Sequence, residues 1–185
     1  MKRLALVLSL CLPLVYGSYA EYLSARQKFK LIESDRLRPG SRVALTAAEL
    51  NSWVRQEIAE SFPSGVREPH LALRNGAATG SALIDFGKVR RAQGNPPGWL
   101  MSKFLDGERP VEVFARIRSG GGHATVDVES VKVSGVVIEG RVLDFLIHNY
   151  LLSNYPDAKV GEAFELSHGI DRLDVKPAAV DVVIR

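Results

Sequence analysis

Histidines and paired carboxylates are the residues of this 185-residue chain whose types could support catalysis or metal binding. The four histidines have no second ligand at metal-binding spacing, such as H-E-x-x-H. The carboxylates Asp127 and Glu129, like Asp171 and Asp174, lie in strand-like segments, which favours solvated outer-face positions over an acid–base pair. No serine is marked out as the nucleophile of a triad. We therefore predict a non-enzymatic protein with no catalytic residue, no metal and no cofactor.

The first 20 residues have the pattern of a secretory signal peptide. Met1-Lys2-Arg3 is basic, Leu4 to Val15 is mostly apolar, and Ser18-Tyr19-Ala20 places small residues at a cleavage site. An uncleaved N-terminal anchor is the alternative, because the uncharged run continues to Ala20. We expect an exported protein, in the periplasm or at the outer face of the cytoplasmic membrane. Its one cysteine, Cys11, lies in this segment, so stability would come from burial rather than disulfides.

The charge balance of the chain argues against nucleic acid as a partner. Without Lys2 and Arg3, the 24 basic residues become 22, against 21 acidic residues. A nucleic-acid-binding domain usually shows a clear basic excess. We divide the chain into a signal peptide (1–20), an N-terminal arm or helical stalk (21–40) and one α+β domain (41–185), which is long enough for a hydrophobic core.

An amphipathic helix is the clearest local signal. Thr46 and Glu49 form a capping box at its start, and Pro63 would end it. Arg42 to Leu45 alternates as a short strand does. The helix has apolar residues at helical spacing, and we expect this stripe to be buried. The stripe consists of Leu50, Trp53, Val54 and Ile58.

Several amphipathic strands follow this helix. Val66 to Arg74 and Ala77 to Phe86 flank Asn75-Gly76, a strong hairpin signal. Pro69 indicates that the first of these strands lies partly at a sheet edge. Small residues on one face of the second strand leave room for a close neighbour, most simply a helix. This face contains Ala78, Gly80, Ala82, Ile84 and Phe86.

A second hairpin is predicted from Pro110 to Ser130, with a glycine-rich turn between its strands. One face of the first strand has Val111, Val113, Ala115 and Ile117, and the second strand turns Ala124, Val126 and Val128 inward. The alternation slips by one residue at Ser130-Val131, which predicts a β-bulge that bends the sheet. The tail predicts strands at Ala163–Ser167, Ile170–Lys176 and Val180–Arg185.

Two further segments are rich in apolar residues. Gly140 to Tyr155 predicts a second long helix whose wide apolar surface is buried on several sides or lines a lipid-like cavity. The other segment follows Pro96-Pro97-Gly98. It favours a short helix that caps the core, and the alternative is a membrane contact or a lid. Its apolar residues are Trp99, Leu100, Met101, Phe104 and Leu105.

The order of these features resembles the LmeA-like bacterial envelope lipid-binding family, which has a TULIP-related fold. The resemblance covers Ser41 to Arg185 and rests on L-T-A-A-E-L-N (Leu45 to Asn51) and V-S-G-V-V-I-E-G-R-V-L-D-F-L (Val133 to Leu146). Members often have a proline near the start of the second helix, where this chain has Glu139-Gly140-Arg141. The resemblance implies a TULIP-like half barrel. In it, a highly curved antiparallel sheet of about six to eight strands wraps two main helices and an apolar cleft takes acyl chains.

The expected function is therefore non-enzymatic lipid binding or lipid transfer in the bacterial cell envelope. The expected ligand is a phospholipid or another acyl lipid. Two further expected partners are the membrane surface and a second copy of the chain, since a homodimer could close the groove. The alternative is an envelope scaffold with a solid core and no ligand. The residues expected to line the cleft are Leu50, Trp53, Val54, Ile58, Leu143, Leu146, Ile147 and Tyr150.

Overall fold

The computed structural model describes residues 12–61, 65–92, 107–148 and 159–185. This part of the chain has an α+β fold with antiparallel sheets, as predicted. Its helices are α1 (Leu12–Glu33), α2 (Ala47–Ser61), α3 (Phe86–Ala92) and α4 (Gly140–Leu146). Its strands are β1 (Arg42–Thr46), β2 (Val66–Arg74), β3 (Ala77–Asp85), β4 (Glu108–Gly120), β5 (His123–Val133), β6 (Val136–Glu139), β7 (Ala163–Glu165), β8 (Ile170–Lys176) and β9 (Ala179–Ile184).

The described strands form two sheets rather than one sheet wrapped around two helices. The small sheet has the order β1-β9-β8, and the large sheet has the order β2-β3-β4-β5-β6, with β7 paired to β5. The large sheet is not closed into a barrel. The six strands of the large sheet lie within the predicted range of six to eight. The prediction did not include a second sheet, in which β1 pairs with β9 from the distant end of the sequence, with Arg42 opposite Val183 and Thr46 opposite Ala179.

The hydrophobic core lies against the small sheet. β1 alternates buried and exposed residues, as predicted, and turns Val43 and Leu45 inward. They form one cluster with Ile32, Val182 and Ile184. Burying one such side chain contributes about 1.5–3 kcal/mol, so this cluster is a main source of stability for a domain without disulfides.

The N-terminal arm is helical through Glu33 and packs on α2 as part of the same fold. Ala25 is completely buried, and the ring of Phe29 lies 4.9 Å from that of Trp53 between centroids. α1 also includes Tyr19 and Ala20, so the helix runs through the predicted cleavage site. Within the described residues, no helix combines the length and apolar character needed to cross a bilayer.

The large sheet contains the two predicted hairpins. Asn75-Gly76 forms the turn between β2 and β3, and Gly121-Gly122 forms the turn between β4 and β5. β2 is an edge strand, and its register is irregular between Arg67 and His70, where Pro69 lies. The edge position predicted from that proline is confirmed, because a residue without an N–H is tolerated at edges and bulges.

The predicted bulge in β5 exists but lies slightly earlier in the chain. Ala115 pairs with Val128 and Phe114 pairs with Ser130, which leaves Glu129 as the extra residue. The expected position, Ser130-Val131, was wrong. Glu129 and Ser130 both lie on the face opposite Val128, so the inward alternation resumes at Val131.

Two helical segments differ from the prediction. Phe86 does not extend β3 but begins α3, because the Asp85 carboxylate accepts a hydrogen bond from the Lys88 amide (2.9 Å) and caps the new helix. The second predicted helix begins at Gly140 as expected, and its part beyond His148 lies outside the described residues. Its apolar surface is not buried on all sides, since Val142 and Phe145 are 63% and 57% exposed.

The turns of the large sheet meet the free edge of the small one. The amide of Gly76 donates to the carbonyl of Val175 (3.1 Å), and Gly122 donates to Asp171 (2.8 Å). The Ser119 hydroxyl donates to the Leu173 carbonyl (3.0 Å) and accepts from its amide (2.8 Å). These bonds pair the edge of β8, which would otherwise expose backbone groups, and fix the small sheet at one end of the large one.

Candidate functional site

One face of the large sheet is apolar across five strands, and we call it the inner face. Side chains alternate between the two faces of a strand, so the cross-strand pairs determine which residues share a face. The strand faces predicted for β3, β4 and β5 all belong to it, except Phe86. The inner face consists of Val66, Leu71, Leu73, Ala78, Gly80, Ala82, Ile84, Val111, Val113, Ala115, Ile117, Ala124, Val126, Val128, Val131, Val133, Val136 and Ile138.

Most of the inner face is only half-buried. Leu73, Val111 and Ala124 are buried, whereas Val136 is 66% exposed and the other residues are intermediate. A Cβ placed on Gly80 would meet no described atom within 4 Å. The close helical neighbour expected beside these small residues is therefore not found among the described helices.

The described helices pack mainly around the margins of this face. α2 packs on β1 and β2, α3 packs on β3, and α4 packs on β5 and β6. The middle strand, β4, has its main contacts with β3, β5 and β8. The two helices expected to form one cleft thus lie at opposite edges of the large sheet.

The outer face of the same sheet is charged. Arg116 binds Glu129 (2.6 Å) and Arg118 binds Asp127 (2.7 Å). The hydrogen bond from Arg116 holds the pKa of the Glu129 carboxyl below its ordinary value. Exposed pairs of this kind contribute little to stability but keep the surface hydrated. The prediction that these carboxylates are outer-face charges is confirmed.

The inner face is closed at one end by the small sheet. At the closed end, Ser119 bonds to Leu173 of β8. At the opposite end, which we call the rim, β4 begins and the Ser134-Gly135 turn joins β5 to β6. The Ser134 amide donates to the Pro110 carbonyl there (2.9 Å). The exposed Val136 lies beside this turn, so the rim is where apolar surface meets water.

A charged residue continues the inner face at the rim. Arg109 pairs with Ile84 and is in phase with Val111, so its side chain belongs to the inner face. It is half-buried, and its Nε atom is buried. Among the described residues of β3, β4, β5 and β6, it is the only charged residue on this face. Sequence reasoning missed Arg109, although its spacing from Val111 and Val113 was a signal for it.

Asn51 fixes α2 to the edge of the large sheet. Its side-chain oxygen accepts from the Leu71 amide (2.7 Å), and its side-chain nitrogen donates to the carbonyls of Leu71 (2.8 Å) and Ala47 (2.8 Å). The amide thus takes the place of a neighbouring strand at Leu71 and satisfies backbone groups that an edge leaves open. Nothing in the sequence distinguishes this buried asparagine from an exposed helical one.

Glu49 joins α1, β1 and α2. The predicted capping box is confirmed, since Glu49 accepts from the Thr46 amide (2.8 Å) and its own amide donates to the Thr46 hydroxyl (3.1 Å). The carboxylate also binds Lys28 (2.6 Å) and Ser24 (2.5 Å) of α1. Burial by itself raises the pKa of Glu49, but the hydrogen bonds from Lys28, Ser24 and Thr46 outweigh burial and lower it.

The residues predicted to line a cleft are separated in the structure. Leu50 packs against the core of the small sheet, and Trp53 contacts Phe29. The expected stripe on α2 is half-buried, because the deepest side chains of this helix are the polar Glu49, Asn51 and Ser52. The other predicted lining residues lie as follows: Val54, Ile58 and Ile147 are half-buried, Leu143 is buried, Leu146 ends α4, and Tyr150 lies outside the described residues.

Neither the histidines nor the cleft beside β2 offers a competing site within the described residues. His70, His123, His148 and His168 are all exposed, and no group of metal-ligand residues was found in the described part of the chain. A shallow cleft of about 430 Å³ beside β2 is lined partly by polar residues, among them Glu21, Asn51 and Arg55. The predicted lid or membrane contact, Trp99, Leu100, Met101, Phe104 and Leu105, falls outside the described residues.

No protein-family model, curated protein or solved structure matches this chain. The resemblance to the LmeA-like family therefore stays a hypothesis based on the residues that suggested it. The inner face, its rim and the charged outer face are the features from which we infer a function.

Proposed function

We propose that this protein is an exported, non-enzymatic lipid-binding or lipid-transfer protein of the bacterial cell envelope. Acyl chains of a phospholipid or another lipid would lie on the inner face. The observation that carries the proposal is the contrast between the two faces of one sheet. The inner face is apolar across five strands and still half-exposed, whereas the outer face has paired charges. Large exposed apolar surfaces mark binding sites.

The dimensions of the inner face suit one acyl chain. From Arg109 to Ile117, β4 rises roughly 27 Å at about 3.3 Å per residue. The hydrocarbon core of a bilayer is about 30 Å thick and holds two chains end to end, so one chain needs roughly 15 Å. Each buried methylene contributes about 0.8 kcal/mol, which is enough for binding without any conserved polar motif.

The proposal includes a TULIP-like curvature of the large sheet. Two irregularities support it, the bulge at Glu129 and the shift near Pro69, because bulges bend strands and increase their twist. α2 and α4, at opposite edges, would then flank the concave side. Small-angle scattering of the purified protein can distinguish a curved sheet from a flat one.

The direct test is to express the full-length chain, purify the exported protein and identify bound lipid by mass spectrometry. Displacement of a fluorescent fatty acid then measures binding. Gly80→Ile adds a side chain to the inner face, and Thr79→Ile adds the same side chain to the outer face of the same strand as a control. If the new side chain takes the place of about three methylenes, binding falls roughly 50-fold.

The two variants distinguish an effect on lipid binding from an effect on protein stability. Gly80→Ile is expected to fold at least as well as the parent protein, because glycine weakens a strand and β-branched residues favour it. Loss of binding in Gly80→Ile with binding retained in Thr79→Ile supports the proposal. Equal binding by both variants, or a parent protein with neither copurified lipid nor probe binding, would refute it and favour the envelope scaffold.

A further inference from the structure

We propose that α1 binds an anionic membrane surface through one of its faces. This face, which we call the basic face, consists of Leu23, Arg26, Gln27, Lys30 and Leu31. The inference goes beyond the proposed function and does not depend on it, because it concerns how the protein meets a bilayer and not what the inner face holds. The partner is the head-group layer of a membrane that contains anionic phospholipid.

The spacing of residues in α1 separates the basic face from a buried one. Its five members follow the i, i+3, i+4, i+7, i+8 pattern that places residues on one side of a helix. All five are exposed, with Leu23 at 37% and Leu31 at 46%. The opposite side has the same kind of spacing and contains the buried Ala25 and Ile32. The basic face is therefore turned away from α2 and β1, the elements on which α1 packs.

The cations of this segment differ from those of the sheets because they lack counter-charges. Arg26 and Lys30 form no ion pair with any described residue. The same holds for Arg36 and Arg38, two exposed arginines that follow α1. Cations of the two sheets that bind carboxylates include Arg42, Arg67, Arg116, Arg118, Arg172 and Lys176. Positive charge without a counter-ion in the fold is thus concentrated along α1 and just after it.

The nearby acidic residues do not cancel this charge. From Leu23 to Arg38 the chain has five basic residues and two acidic ones, Glu33 and Asp35. Asp35 lies 3.3 Å from His168, and Glu33 is the last residue of α1, beyond the basic face. The segment is therefore complementary in charge to an anionic surface.

The two leucines among the cations favour a bilayer as that surface. A helix that lies in the membrane interface inserts apolar side chains at the head-group boundary while its Lys and Arg residues contact anionic lipid. The long stems of Lys and Arg lie along the apolar boundary and keep the charge at the head groups. A nucleic acid would use the cations alone and would leave Leu23 and Leu31 in water.

The basic face has a fixed orientation because α1 is held firmly on its other side. Ala25 is completely buried, and the ring of Phe29 lies 4.9 Å from that of Trp53. Lys28 binds the carboxylate of Glu49 at 2.6 Å. A preformed surface loses little conformational freedom on binding, so most of the attraction to lipid appears as affinity.

The experiment measures cosedimentation of the purified exported protein with vesicles. One set contains phosphatidylglycerol and phosphatidylcholine in equal parts, and the other contains phosphatidylcholine alone. Each cation near an anionic surface strengthens binding about fivefold, so a variant with both Arg26→Gln and Lys30→Gln should bind the anionic vesicles about 25-fold more weakly than the parent. The parent should prefer the anionic vesicles by at least about the same factor. Its binding should fall at about 1 M salt, where the screening length is about 3 Å.

A variant with both Arg74→Gln and Arg141→Gln is the matched control. It removes two exposed cations from other parts of the domain that likewise form no ion pair with described residues, so the net charge changes equally. It should bind anionic vesicles within about twofold of the parent. Both variants change exposed side chains and should keep the urea midpoint of the parent.

Equal binding by the parent and the variant of Arg26 and Lys30 would overturn the inference, and binding through the apolar N-terminal segment would give this result. Equal loss in both variants would also overturn it, as would a parent that binds both kinds of vesicle equally or neither. None of these outcomes changes the displacement of a fluorescent fatty acid, which tests the inner face. The failure of this inference and the failure of the proposed function are therefore distinguishable.

Discussion

Glu49 should be the residue on which the docking of α1 depends most, and Glu49→Gln tests this directly. The carboxylate is 8% exposed and accepts from Thr46 (2.8 Å), Lys28 (2.6 Å) and Ser24 (2.5 Å). Hydrogen bonds to charged groups contribute about 1.5–3 kcal/mol each, and glutamine leaves Lys28, itself 30% exposed, without its counter-charge. We expect Glu49→Gln to lower the free energy of unfolding by about 2–3 kcal/mol at pH 7.

The pH dependence gives the same prediction a second measurement. The folded protein lowers the pKa of Glu49, whose unfolded value is about 4.3. The stabilisation by the ionised carboxylate is therefore present above pH 4.3 and is lost as the pH falls through the lower, folded pKa. Urea unfolding of the parent and Glu49→Gln should show a stability difference that shrinks from pH 7 toward pH 3.

The control is Glu60→Gln, which removes the same charge from an exposed position of α2 and should change stability by less than 0.5 kcal/mol. A double-mutant cycle with Lys28→Met isolates the pair from the rest of the network. If Glu49→Gln matches the parent at pH 7, or if the difference does not change with pH, Glu49 does not hold α1 in place and the account of this junction fails.

Two further substitutions test the packing around the large sheet. Asn51→Ala removes the bonds to Leu71 and leaves a backbone amide of β2 unsatisfied. The free energy of unfolding, measured in urea, should therefore fall by about 1–3 kcal/mol. An unchanged unfolding midpoint would contradict the role of Asn51 at the sheet edge. Leu143→Ala should cost about 2–5 kcal/mol because Leu143 is 3% exposed, whereas Val142→Ala, at 63% exposure, should stay within about 0.5 kcal/mol. Similar losses in both α4 variants would show that α4 does not pack through Leu143.

The elements that the sequence predicts well have local signals. The capping box of Thr46 and Glu49 depends on four consecutive residues, and the Asn75-Gly76 hairpin depends on two residues and their flanking alternation. The helix start and the turn are both found where expected. The bulge in β5 was displaced because alternation shows only that the register has slipped, not which residue of Glu129, Ser130 and Val131 is extra.

The division into two sheets could not be predicted in the same way. β1 pairs with β9 at the far end of the chain, and no feature of Arg42–Thr46 specifies that partner over another strand of similar pattern. The burial of Glu49 and Asn51 likewise depends on residues that are distant in the sequence. Their partners, Lys28 and Leu71, lie 21 and 20 residues away, so a polar residue on an amphipathic helix becomes an interior one only through tertiary contacts.

The inner face shows where sequence reasoning about function reaches its limit. Alternation predicts that one side of β3, β4 and β5 is apolar, but a solid core and a lipid site have the same alternation. A solid core and a lipid site differ in what covers the face. The strand register shows which side chains share the face, and their exposed fractions show how much of it is covered. Gly80 is the most informative position because a side chain added there points into space free of described atoms. A substitution at this position that stabilises the strand and abolishes lipid binding would distinguish a lipid site from a solid core.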